Sequence, residues 1–127
     1  MKKKTTSQLK KELDKYFSLY IRQKFSNKNG TVNCYTCGAL KQSYKEIQCG
    51  HFVSRQYLAA RFEESNCRPQ CVGCNIWGKG KPLDFEEKLK KELGDDVVEY
   101  LKKKRHEITK DFPYAELIAK YKLLTKV

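Results

Sequence analysis

No stretch of this 127-residue chain is apolar for long enough to cross a bilayer. No apolar run follows the lysines of Met1-Lys-Lys-Lys to make a secretion signal, so a reducing cytoplasm is the expected compartment. Acidic residues are scarce: 15 Asp and Glu stand against 27 Lys and Arg, a formal charge of +12. No amphipathic segment pairs an apolar face with a purely basic one, which argues against an anionic membrane as partner. There is no internal repeat and no low-complexity tract beyond short lysine runs. Long aliphatic side chains are few in the middle third, so that segment's own core would be thin.

The excess of cations concentrates polyanions, which makes DNA or RNA the leading partner. A basic protein without such a partner is the lesser alternative on charge alone. The length fits one domain, expected over 1–127. Leu9, Leu13, Tyr16, Phe17, Tyr20 and Ile21 fall on one face of a helix that Thr6 or Ser7 can cap, and Ser26–Gly30 has turn composition, so 1–30 reads as an N-terminal amphipathic helix. Over 31–82 the helical period disappears. Short strands are expected beside Cys34–Cys37, another strand over Lys45–His51, and a helical turn over Gln56–Arg61 capped by Ser54. The period returns over 83–127. Asp84 is the expected cap of a helix carrying Phe85, Leu89 and Leu93 and stopped by Gly94. Asp95 to Glu107 reads as a second helix, and Pro113 opens a third with Leu117, Ile118, Tyr121 and Leu124 inward. The fold class is α+β, with a metal-bound centre between helical flanks.

Six cysteines in a reducing compartment point to metal rather than disulfides. Cys34-Tyr-Thr-Cys37-Gly and Cys71-Val-Gly-Cys74 are matched pairs, each able to turn two sulfurs toward one point. Four thiolates complete the tetrahedron of a closed structural zinc site, and such an ion remedies the thin core. With Cys49, His51, Cys67 and His106 the candidate ligands number eight, which raises a two-zinc interaction module of the RING type. The spacing disfavours it: after Cys49-Gly-His51 the next cysteine is Cys67, and His106 sits in Lys102-Lys-Lys-Arg-His106, a basic surface segment.

Gln48-Cys-Gly-His51-Phe52, Asn66 and Asn75 supply a further pattern. Their order and spacing resemble the HNH, or ββα-metal, nucleases, and two knuckles with asparagine directly after the second resemble the endonuclease VII group. A closer resemblance spans nearly the whole chain: Leu13-Asp-Lys-Tyr-Phe-Ser-Leu-Tyr-Ile-Arg22, Cys34-x-x-Cys-Gly38, Cys49-Gly-His-Phe52, Arg61-Phe62, Asn66, Gln70-Cys-Val-x-Cys-Asn75 and the helical tail look like the phage NinG/Rap recombination proteins. These are regarded as structure-specific endonucleases acting on D-loops and Holliday junctions. The resemblance implies a zinc-stabilised, treble-clef-like HNH core between the helical flanks. It implies His51 as general base, Asn66 as the residue pinning the histidine loop, and Asn75 as a ligand of a catalytic divalent ion.

Phosphodiester hydrolysis needs an activated water and a counter-charge for the phosphate. His51 suits the first task, and Mg²⁺ or Mn²⁺ held partly by Asn75 suits the second. Most HNH enzymes place Asp or His immediately before the base, but this chain has Gly50. Cys49 is one substitute ligand, although a thiolate suits Mg²⁺ poorly; Gln48, Glu46 and a backbone carbonyl are others. Arg55, Arg61, Arg68, Lys79 and Lys81 are candidate phosphate contacts. Trp77 is either a base-stacking platform or, the preferred reading, a core residue.

The expected activity is therefore metal-dependent cleavage of branched or single-strand-containing DNA, with one structural zinc and a catalytic Mg²⁺ or Mn²⁺. The alternative is a zinc-stabilised nucleic-acid binder without catalysis. A homodimer and recombination proteins of phage or host are the expected protein partners.

Overall fold

The computed structural model describes residues 3–125. Helix α1 (Thr6–Lys24) is capped one residue earlier than expected: the Thr5 hydroxyl accepts from Gln8 N–H while the Gln8 side chain accepts from Thr5 N–H. Its buried stripe is Leu13, Phe17 and Ile21. Strands β1 (Val32–Asn33) and β2 (Leu40–Lys41) form an antiparallel hairpin around the first knuckle. The strand expected over Lys45–His51 splits into a 3₁₀ turn at Tyr44–Glu46, capped by Ser43, and β3 (Gln48–His51).

The turn expected over Gln56–Arg61 shortens to α2 (Leu58–Arg61), which has no side-chain cap; Ser54 Oγ accepts only from Gln56 N–H at 3.4 Å. Strand β4 (Cys67–Gln70) pairs antiparallel with β3, His51 opposite Cys67 and Gln48 opposite Gln70. A π-helical turn over Gly73–Trp77 follows the second knuckle.

Helix α3 (Pro82–Leu93) starts on Pro82, not on an Asp84 cap, because Lys81 takes a left-handed conformation and turns the chain into the helix; Asp84 lies within the first turn. Gly94, at φ +94°, separates it from α4 (Asp95–Lys104), which ends before Glu107. Pro113 sits at the cap of α5 (Tyr114–Leu124) rather than inside it. Tyr114, Ile118 and Tyr121 are its buried residues, Leu117 is half-buried, and Leu124 faces outward, contrary to expectation.

Three buried clusters follow. Helices α1 and α5 close over Phe62 and Cys67, with Phe17 edge-on to both Phe62 and Tyr121. Helices α3 and α4 cover Val53 and Ala60. The third, around the knuckles, has only Val32 and Ile47 besides Cys34, Cys71 and Cys74. A cluster made mostly of thiols gains little from burial alone, and ligation has to supply the rest. The four cysteines thus bring the segment before β3 against the segment after β4, while α1 lies across the β3–β4 ribbon and walls one side of the site.

Candidate metal centre and adjoining cleft

Cys34 and Cys37 sit at the tip of the β1–β2 hairpin, where Gly38 at φ +80° lets its N–H reach back to Cys34 O at 2.9 Å. Tyr35 N–H bonds Pro69 O at 2.8 Å and docks this hairpin on β4, which delivers Cys71 and Cys74. All four sulfurs lie within 4.8 Å of one another. Cys37 and Cys71 Sγ are 3.7 Å apart. A Zn–S bond of about 2.3 Å gives a tetrahedron with edges of about 3.8 Å, so the donor set fits zinc in number, chemistry and spacing. Burial resists ionisation of Cys34, yet backbone N–H groups of Cys71, Cys37 and Thr36 and the Thr36 hydroxyl outweigh it and bring this thiol down to about 6. Burial pushes Cys74 up to about 12. Four thiolates gathered this closely require a divalent ion to offset their charge. The cysteine cluster can hold a structural metal such as zinc.

Next to it, β3 sends Cys49 and His51 to one face of the ribbon, because alternate strand residues share a face. Cys67, opposite His51 in the register, shares that face. His51 Nε2 lies 3.0 Å from Arg61 O. A carbonyl only accepts, so Nε2 carries the proton and Nδ1 the lone pair. Burial, reinforced by the Arg55 and Arg61 charges, pushes His51 down to about 4 despite the carbonyl bond, which leaves it neutral at pH 7.

Asn66, fully buried, accepts from Val53 N–H at 2.7 Å and donates to Val53 O and Ala60 O at 3.0 and 3.1 Å. It thereby holds both ends of the 53–60 segment that leaves His51. Asn75 rides on the π turn, a rare geometry that recurs at functional sites, and its amide donates to Gln48 Oε1 at 2.8 Å.

A cleft of about 390 Å³ brings together Gln48, Cys49, His51, Arg55 and Asn75 with Asp14 of α1. A second hollow of about 310 Å³ shares Cys49, His51, Arg55, Asn75 and Ile76 with it and extends to Lys79. The groove thus runs across both sides of the His51–Asn75 pair.

Some expected phosphate-binding residues are employed elsewhere. Arg68 is 3 % exposed, bonded to Glu92, to Glu64 O and to Cys67 O, and stacked over Phe25; the fold consumes its charge and no phosphate can reach it. Arg61 is committed to Asp14, Nε to Oδ1 at 2.9 Å with a second nitrogen on Oδ2, so it braces α1 rather than offering a free cation. Arg55 is exposed but also pairs with Asp14 at 3.1 Å. Lys79 and Lys81 are exposed, both at positive φ in the turn before α3. Trp77 is 81 % exposed and not in the core; the π turn aims it outward. His106 is exposed, just past the end of α4.

Gly50 has its own reason. A Cβ there would stand 2.0 Å from Gln70 Oε1. Gln70 is buried, its amide donating to Thr36 Oγ1 and Gly80 O, and its Oε1 has no partner. No side chain fits before His51 unless Gln70 moves. Sequence reading missed Asp14, Ser18 and Arg22, which α1 contributes from far away in the chain. Cys67, one of the eight candidate ligands but too far from His51 in sequence for the RING plan, stands opposite it in the ribbon; the alternation of 49 and 51 with a strand at 67 is the available signal.

The chain matches the sequence model described as Bacteriophage Lambda NinG protein over residues 1–127. It belongs to the NinG family. NinG is a phage recombination-related family, and the match takes in the lead helix, both knuckles, the groove and the C-terminal helices alike. No curated protein and no solved structure matches this NinG-family chain. Among the described residues no helix is long and apolar enough to cross a membrane.

Proposed function

We propose that this NinG-family chain is a metal-dependent endonuclease of the HNH kind that cuts branched DNA, with His51 as general base. The observation that carries the proposal is the orientation of His51: Nε2–H is held by Arg61 O, and the lone pair of Nδ1 is left for a water, in a cleft that also holds Asn75. The low pKa keeps the base unprotonated at neutral pH. An incoming phosphate sets negative charge beside the ring and raises its proton affinity where the reaction needs it.

The residues of the cleft suit Mg²⁺ or Mn²⁺. Asn75 Nδ2 is taken by Gln48, so Oδ1 keeps its lone pairs for a cation, and Asp14 is the one carboxylate of the lining among the described residues. Such an ion, when bound, neutralises charge on the phosphate and on the leaving 3′ oxygen. Asn66 positions the base through the backbone of the 53–60 segment, and Lys79 and Lys81 meet the DNA backbone at the end of the groove. Exposed Ile76 at the groove, and exposed Trp77 next to it in the chain, offer apolar surface to bases splayed at a branch point.

The test is cleavage of a synthetic four-way junction and a matched linear duplex with Mg²⁺ or Mn²⁺. The wild type should cut the junction preferentially, and His51→Ala should bind it but cut about 10²–10⁴-fold more slowly. Junction binding without cutting under every divalent ion would leave a zinc-stabilised nucleic-acid binder as the reading.

A further inference from the structure

We propose that Cys49, His51 and Cys67 form a second metal site, distinct from the four-cysteine centre, that takes a thiophilic divalent cation such as Zn²⁺. The two sulfurs and one ring nitrogen lie within 4.8 Å of one another. The ribbon imposes this grouping: residues 49 and 51 share a face of β3, and residue 67 stands opposite residue 51. Two thiolates and a neutral imidazole cancel the charge of a divalent ion. That matters because Cys67 is fully buried in the cluster of Leu13, Phe17 and Ile21, where any net charge is costly. Binding takes both sulfurs as thiolates, so any protons they carry pass to solvent as the ion enters.

Soft donors select the occupant. Sulfur and imidazole favour Zn²⁺ or Co²⁺ over Mg²⁺. Three protein ligands meet here among the described residues, and Cys49 and His51 both line the open groove, so the fourth position faces solvent and substrate. This ligand count is that of an open zinc site, unlike the closed set of Cys34, Cys37, Cys71 and Cys74. A cation there occupies the imidazole that the nuclease reading needs free. Resting on that reading, the consequence is that zinc beyond the structural equivalent suppresses Mg²⁺-dependent cutting.

The test is metal stoichiometry on the reduced full chain, with a readout independent of DNA. Wild type should retain about two equivalents of Zn²⁺, and Cys49→Ser and His51→Ala about one each, with circular dichroism unchanged. In a Co²⁺ titration the wild type should show a second phase of thiolate-to-metal absorption, absent from Cys49→Ser. Cys67→Ala, whose core position makes it liable to unfold, serves only as corroboration. One equivalent in folded wild type, unaltered by Cys49→Ser, overturns the second site while leaving the nuclease reading standing. Two equivalents in a chain that never cuts DNA would do the reverse.

Discussion

His51 is set by two neighbours and by burial: the Arg61 carbonyl fixes its tautomer, Asn66 fixes the segment it introduces, and burial sets its proton affinity. Its folded pKa of about 4 lies below the usual histidine value near 6.5. The unfolded chain therefore binds the proton first as pH falls. The stability His51 contributes is complete above about pH 6.5 and is lost between there and about pH 4, which acid denaturation of wild type against His51→Ala will register. For cutting, the acid limb of kcat/KM should lie near pH 4, reporting the free protein, and that of kcat should lie higher once DNA is bound. Asn66→Ala removes three buried hydrogen bonds and should cost about 2–4 kcal/mol in denaturant unfolding. Gly50→Asp, which installs the acid usual before an HNH base, should not help cutting. It drives a side chain into Gln70 and should lower the thermal midpoint instead.

At the scale of elements, the groove depends on α1 lying across the β3–β4 ribbon, and Asp14 with Arg61 is the brace. Asp14→Asn weakens the brace and removes the carboxylate of the cleft, so it should reduce cutting more than junction binding. Basic residues divide by element too. Arg68, tied to Glu92 of α3 and to β4 itself, should cost about 2–4 kcal/mol on Arg68→Ala, less than a fully buried pair because Glu92 is partly exposed. Lys79→Ala with Lys81→Ala in the turn before α3 should leave stability alone. The double substitution should flatten the salt dependence of DNA binding, by about one unit of slope for each phosphate that a lysine no longer neutralises. Opposite responses from two sets of cations would separate framework from interface.

For the whole molecule, the knuckles hold the first hairpin against β4 and the turn that follows it. The third cluster is mostly sulfur, whereas the α1–α5 and α3–α4 packings have aromatic and aliphatic cores of their own. Zinc removal by a chelator, or Cys34→Ser or Cys71→Ser, should cost at least several kcal/mol and expose amides between residues 31 and 81 to hydrogen exchange. Helical dichroism should survive in part. His51→Ala should leave the four-cysteine zinc in place.

The amphipathic stripe of α1, the paired knuckles, and the inward Phe85, Leu89, Ile118 and Tyr121 of the tail helices are legible in the residues, because helical period and ligand spacing are local properties; Leu124, expected inward, is not. Cap positions slipped: Thr5 caps α1 one residue before Thr6 or Ser7, and the left-handed Lys81 starts α3 two residues before Asp84 is reached. The fates of Arg61, Arg68 and Trp77 could not be read locally: a charge run looks the same whether solvent or a distant carboxylate receives it, and an indole's exposure depends on one π turn. Asp14 and Cys67 joined the site through chain segments far from His51 in sequence. The sequence by itself determined which chemistry was available, thiolates for a metal and a histidine among cations. Only the tertiary structure decided which of those groups face one another, because strand register and helix packing, not spacing, bring residues 14, 49, 51, 67 and 75 together.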